Sequence, residues 1–241
     1  MYFNYNGTAI HYQQFGKPSS CPTLLLHGWG RSSEDFKGIV SHFSERNFIV
    51  IDFPPFGKSD SDIEGWTIFT YAQMVISLCE HLGITKFDVL GHSFGGRIAI
   101  LLCAVNRAHV HSCILTGSAG MKPKRNLKYW VKICKYKIYK KLGKDTSAMG
   151  SADYKALSPQ LKKTFVNIVQ TNLEAFAKTI YAKTLLIWGK KDDQTPLYMA
   201  KRLKKHLRNC KLEFIENGGH FAFLEYPMQF YRHLKQFWEE E

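Results

Sequence analysis

Short apolar runs alternate with amphipathic stretches along most of the chain. Two β-type stretches, Tyr2–Tyr5 and Thr8–Phe15, come first and are separated by Asn6-Gly7. Asn-Gly accommodates the positive φ angles of a tight hairpin turn, so this opening predicts two antiparallel strands. Thr23–His27 is a near-continuous apolar run followed by glycine, as a strand buried on both faces should read. Ser33–Arg46 has helical spacing, and Phe48–Asp52 reads as a strand. Phe69–Leu82 is a second helix, with Gly83 as its stop. Phe87–Leu90 (strand), Phe94–Val105 (helix) and Val110–Leu115 (strand) continue the pattern.

The alternation then breaks. From Gly117 to about Ile180 the chain is Lys-rich and helical in pattern, without a convincing strand. It resumes with Thr184–Trp188 (strand), Pro196–Leu207 (helix), Lys211–Ile215 (strand) and Phe223–Trp238 (helix). Strand–helix alternation implies an α/β protein: a mostly parallel eight-stranded sheet with helices on both faces, its hairpin supplying antiparallel edge strands. The interruption reads as a helical lid inserted after the sixth strand. Residues 1–118 and 181–241 are expected to form the core, and 119–180 the lid.

With 241 residues, 45% hydrophobic and 22% charged, the chain can bury a full core, which excludes disordered and disulfide-stapled classes. Its net charge of +13 raises polyanions or acidic substrates as partners. That charge is local. Residues 1–121 carry eight Lys/Arg against nine Asp/Glu, whereas 122–144 carry ten against none. A uniformly basic nucleic-acid binder is therefore not expected. The six cysteines (Cys21, Cys79, Cys103, Cys113, Cys134, Cys210) form no CxxC pair and read as reduced thiols. Met1–Asn6 lacks a basic start and an apolar stretch, and the longest apolar run, Ile98–Val105, is too short for a bilayer. A cytoplasmic protein is expected.

In a parallel sheet, ligands collect at the carboxyl ends of the strands. Those ends hold His27-Gly28-Trp29-Gly30, Asp52, Gly91-His92-Ser93-Phe94-Gly95, Gly189-Lys190-Lys191-Asp192 and Gly218-Gly219-His220. Ser93 sits in a Gly-x-Ser-x-Gly turn between an apolar strand and an apolar helix. Glycines there remove side chains that would collide with the neighbouring elements, and the turn lifts the hydroxyl to a helix N-terminus.

With these motifs in place, the whole chain resembles the α/β-hydrolase fold superfamily, in particular its small lidded serine hydrolases. Ser93, Asp192 and His220 follow that family's order of nucleophile, acid and base. His27-Gly28-Trp29-Gly30 resembles the oxyanion loop after the third strand. Asp52-Phe53-Pro54-Pro55-Phe56-Gly57-Lys58-Ser59 resembles the family segment after the fourth, with Pro55 where glycine is usual. Gly189-x-x-Asp192 with Pro196, and Gly219-His220 with Glu225 and Pro227, match its acid and base loops. The resemblance implies that His220 takes the Ser93 proton while Asp192 holds the imidazole. It implies an oxyanion hole from the backbone N–H groups of Trp29 and Phe94, and no metal or organic cofactor. Asp193 is adjacent to the acid position, and the spacing to Pro196 favours Asp192. His27, His92, Trp130 and Phe221 are candidate pocket residues, though His27 and His92 are expected to pack or hydrogen-bond beside the reacting groups. Asp52 reads as a loop-shaping carboxylate. Arg97 reads as a solvated helix residue or a structural ion-pair partner.

Leu127, Trp130, Val131, Cys134, Ile138 and Leu142 recur at helical spacing, with Lys128, Lys132, Lys135 and Lys140 largely between them. They predict an amphipathic lid helix whose apolar stripe is available to cover the active-site edge. Its cations are either simply solvated or attract an anionic substrate, acyl-carrier partner or membrane surface. The expected function is hydrolysis of a small or medium carboxylic ester, lactone or thioester. Carbon–carbon bond hydrolysis or a menaquinone-pathway lyase reaction on the same fold is the enzymatic alternative, since Gly95-Gly96-Arg97 occurs in that lyase group too. A non-catalytic ligand receptor and a basic surface binder are the non-enzymatic ones. The expected partner is a small-molecule substrate, anionic ones among the candidates, and no nucleic acid is expected.

Overall fold

The computed structural model describes residues 1–124 and 157–240, together with 131, 134, 135, 138, 139, 141, 142 and 154. Eight strands form one sheet: β1 (Tyr2–Tyr5), β2 (Thr8–Phe15), β3 (Thr23–Leu26), β4 (Phe48–Ile51), β5 (Phe87–His92), β6 (Val110–Thr116), β7 (Lys183–Gly189) and β8 (Cys210–Ile215). Their order is β1-β2-β4-β3-β5-β6-β7-β8. β1 and β2 are antiparallel, as is β2 with β4, and every other pairing is parallel. The opening turn holds Asn6 and Gly7 at φ 50 and 89, the paired positive angles that Asn-Gly was expected to supply.

The central strands read as unbroken apolar runs because both faces are buried. Leu24 and Leu26 of β3, Ile49 and Ile51 of β4, and Leu186 and Trp188 of β7 point into one core layer. Leu25, Val50, Leu185 and Ile187 point into the other. The first layer is closed by α2 (Ile68–His81), α3 (Phe94–Val105) and, past the insertion, the helix Leu197–His206. The second is closed by α1 (Lys37–His42) and the C-terminal helix Pro227–Glu239.

Helix ends follow local chemistry. Thr67 and Thr70 form a reciprocal cap at the start of α2, and Gly83 leaves it at φ 67. Two predicted helices are shorter or divided. Ser33–Arg46 is a 3-10 turn, Ser33–Phe36, followed by six residues of α1. Phe223–Trp238 is two helices, because Pro227 has no N–H to continue the first and instead starts the second.

Between β6 and β7 the described residues contain α4 (Pro159–Gln170) and α5 (Glu174–Ala177). Ser158 caps α4 and Pro159 opens it. Leu173 N–H donates to Gly120 O, and Leu173, Ala177 and Ile180 are fully buried in the first core layer. After α5 come α6 (Leu197–His206), α7 (Ala222–Glu225) and α8 (Pro227–Glu239). Of the stripe expected to face the sheet, Val131, Cys134, Ile138 and Leu142 are exposed. Leu127, Trp130, Lys128, Lys132 and Lys140 lie outside the described residues.

Candidate active site

Ser93 occupies the step from β5 into α3 with φ 50 and ψ −106, a backbone that non-glycine residues seldom adopt. Its neighbours hold it there. Ser93 N–H donates to Thr116 O, and Ser93 O accepts from the N–H groups of Arg97 and Ala119. The turn demands glycine at position 95, where an added Cβ would lie 2.0 Å from Leu26 O. Gly95 N–H donates to His27 O, tying the elbow to the end of β3.

His220 lies on the loop after β8, and its Nδ1 is 3.0 Å from Asp192 Oδ2. Both side chains are buried. Asp192 comes from the loop after β7, where its carboxylate accepts from Gln194 N–H at 3.0 Å, Thr195 N–H at 2.8 Å and Thr195 Oγ1 at 2.7 Å. Burial pushes its pKa up, but the bond and charge of His220 and the Thr195 donors outweigh that and hold the carboxyl below the usual range. Asp193 is exposed, so the spacing argument selected the residue that the fold directs inward. Gly117, at φ 52 after β6, gives the imidazole room, since a Cβ there would stand 3.1 Å from His220 Nδ1.

Ser93 and His220 open onto one cavity of about 150 Å³. Trp29 and Phe94 line it, joined by Phe165, Ile168 and Val169 of α4. Trp29 meets Phe94 and Phe165 edge-on at 5.4 and 5.2 Å, so the loop after β3 and α4 share an aromatic contact. Arg97, Gln194 and Thr195 add polar surface. Phe94 is the first residue of α3, where an N–H has no acceptor in the preceding turn. The Gly28–Trp29 step runs beside the elbow, for a Cβ on Gly28 would lie 3.5 Å from that of Ser93.

The other expected pocket residues stand behind the cavity, not on its wall. His27 is buried; its Nδ1–H donates to Gly28 O at 2.7 Å and its Nε2 accepts from Phe53 N–H at 2.8 Å. Burial therefore keeps it neutral and lowers its pKa, with the Gly28 bond only partly offsetting. His92 Nε2–H donates to His220 O at 3.0 Å, and burial followed by the charge of His220 lowers its pKa to about 3. Phe221 packs on His92 and His220, with the Arg31 guanidinium 5.1 Å from its ring centre. His92 at the end of β5 and Phe221, which follows His220, support the His220 loop, whereas His27 braces the loops after β3 and β4. Asp52 shapes its loop as expected. It accepts from Ser33 N–H at 2.6 Å and Lys58 N–H at 3.0 Å and meets His11 Nδ1 at 2.8 Å.

Sequence reasoning missed Thr195 as the partner that shares Asp192 Oδ2 with His220, although its place just before Pro196 marked a turn. It also missed the α4 wall and placed Arg97 elsewhere. Arg97 is 6% exposed and forms no ion pair with a described carboxylate; its guanidinium donates to Thr171 O at 2.8 Å and Val169 O at 3.1 Å. Among the described residues one group has mutually close metal-type ligand atoms. Cys21, Asp88 and His111 bring theirs within 4.8 Å of one another at the opposite end of the sheet. There the Asp88 carboxylate already meets Arg46 at 2.6 Å, Ser112 Oγ at 2.7 Å and His111 at 3.0 Å.

A family model described as alpha/beta hydrolase fold matches residues 22–136, from β3 through the elbow and beyond β6. The chain has the α/β-hydrolase fold. It is 25% identical to the uncharacterized hydrolase YugF of Bacillus subtilis (strain 168), over 98% of its own length and 96% of that protein's. It is 25% identical to monoacylglycerol lipase abhd6-B of Xenopus laevis, over 94% and 78% of the two chains. The crystal structure of a membrane phospholipase A, a bacterial virulence factor, superposes with a TM-score of 0.80 at 23% identity, covering 100% and 85% of the chains. No helix among the described residues is long and apolar enough to cross a membrane.

Proposed function

We propose that this α/β-hydrolase is a serine hydrolase that cleaves a small or medium carboxylic ester, or a related lactone or thioester. One observation carries the reading: the buried His220–Asp192 pair and the strained Ser93 elbow converge on a single cavity. A serine hydroxyl is a weak nucleophile at neutral pH, so His220 removes its proton as Oγ attacks the carbonyl carbon. Asp192, held ionised by its donors, fixes the Nδ1–H tautomer and stabilises the imidazolium. The backbone N–H groups of Phe94 and Trp29 receive the oxyanion. Collapse expels the alcohol, which leaves with the proton from His220. Water, deprotonated by His220, then attacks the acyl-serine, and its collapse returns Ser93 and releases the acid.

Residues 119–180 act in this reading as the lid, with α4 closing the acyl side of the cavity. The small volume and apolar wall favour short acyl groups. A p-nitrophenyl ester series from acetate to decanoate tests the proposal. Turnover is expected to peak at short chains and to fall about 10⁶-fold in Ser93→Ala. Equal hydrolysis by Ser93→Ala contradicts it, and turnover of carbon–carbon substrates with none of esters would move the chemistry to that alternative.

A further inference from the structure

A buried cation without a buried anion is costly, and this cavity contains one. Arg97 lies one turn into α3 from Ser93, about 6 Å along the helix, and lines the same cavity. It is only 6% exposed, yet no described carboxylate lies within ion-pair distance, and its partners are backbone carbonyls. Two of its five N–H bonds go to the carbonyls of Val169 and Thr171 at the end of α4. The other three have no acceptor among the described residues. Asp192, the carboxylate of this site, is committed to His220 and to the Gln194 and Thr195 donors. Helix-end carbonyls carry only a partial negative charge, which leaves most of the guanidinium charge uncompensated.

We propose that Arg97 is the receptor for a carboxylate on the substrate, so that the preferred esters carry a second acid group a few carbons from the scissile carbonyl. Monoesters of short dicarboxylic acids fit this description. The inference rests on the serine hydrolase reading of the same site. The planar fork that holds the end of α4 can still offer donors to a carboxylate, and the anion supplies the missing charge. Ser93 and Arg97 line one cavity of about 150 Å³, which leaves room for only a short acyl chain between them.

The test compares kcat/KM for monomethyl glutarate, dimethyl glutarate and methyl hexanoate, which share the methanol leaving group. The monoanion is expected to lead by about ten- to hundredfold in the wild type. Arg97→Gln should erase that lead, and Arg97→Lys should restore part of it. Equal rates for the three esters in the wild type would overturn the inference while leaving the hydrolase reading intact. Should the Arg97 variants fold poorly, calorimetric binding of glutarate and of the uncharged butyramide to the wild type tests the same point independently. Glutarate is expected to bind at least about tenfold more tightly; equal binding overturns the inference. Absence of turnover on every ester with tight glutarate binding would instead overturn the hydrolase reading and keep Arg97 as an anion site.

Discussion

Asp192 and Asp193 are neighbours in sequence, but the fold gives them opposite environments. Asp192 is sealed under four hydrogen bonds, one of them to His220, whereas Asp193 faces solvent. Asp192→Asn should therefore lower kcat by about 10⁴, the cost of presenting the wrong tautomer to the nucleophile. Asp193→Asn should leave it roughly unchanged. Steady-state kinetics of the two variants on one ester decides, and the reverse result would reassign the acid. Gly95 makes a different demand. Its missing Cβ is what lets α3 approach β3, so Gly95→Ala should destabilise the fold by at least about 3 kcal/mol in denaturant unfolding. The serine, histidine and aspartate were legible because each ends a strand or begins a turn, where glycine spacing betrays the geometry. Arg97 was not, because an arginine four residues after the serine reads as solvated or ion-paired until packing shows what covers it.

At the scale of elements, what can be read from sequence is what the element decides by itself. The β3–β7 runs were plain because both faces of a central strand must be apolar, and the Asn6-Gly7 hairpin because few other residues take two positive φ angles. The last helix was misjudged where Pro227 divides it, since apolar spacing continues across a break that only the missing N–H reveals. The insertion was harder. Its most amphipathic stripe leaves Val131, Ile138 and Leu142 exposed, while α4 brings Phe165, Ile168 and Val169 to the cavity. Which face of a helix is covered depends on a partner far away along the chain, and no local pattern records it. If α4 sets the acyl boundary, Phe165→Ala should enlarge the cavity and raise the octanoate-to-butyrate ratio of kcat/KM by about tenfold. An unchanged ratio would remove α4 from substrate selection.

For the whole molecule, the charge and the buried histidines set the response to solution conditions. The +13 balance belongs mostly to 122–144, so the sheet that carries the site is close to neutral. His27 and His92 are buried neutral, with pKa values below the 6.5 they recover on unfolding. Below about pH 6.5 the unfolded chain binds protons that the native protein refuses. Their contribution to stability is therefore fully present above that pH and is lost as the pH falls, by up to about 1.4 kcal/mol per histidine per pH unit. Asp192 acts in the same direction at lower pH, because its depressed pKa favours the native state only above the unfolded carboxylate range. Thermal unfolding from pH 7 to pH 4 should show a steep decline in midpoint. A flat profile would mean that these histidines take up protons in the native state.

The central claim is that Ser93 is an activated nucleophile served by His220. The most direct measurement is covalent labelling by a fluorophosphonate, followed by peptide mapping of the adduct. The wild type should carry one adduct on Ser93, and His220→Ala should lose most of the labelling rate while keeping its fold by circular dichroism. A wild-type protein that stays folded and unlabelled, or labels at a site other than Ser93, would contradict the account.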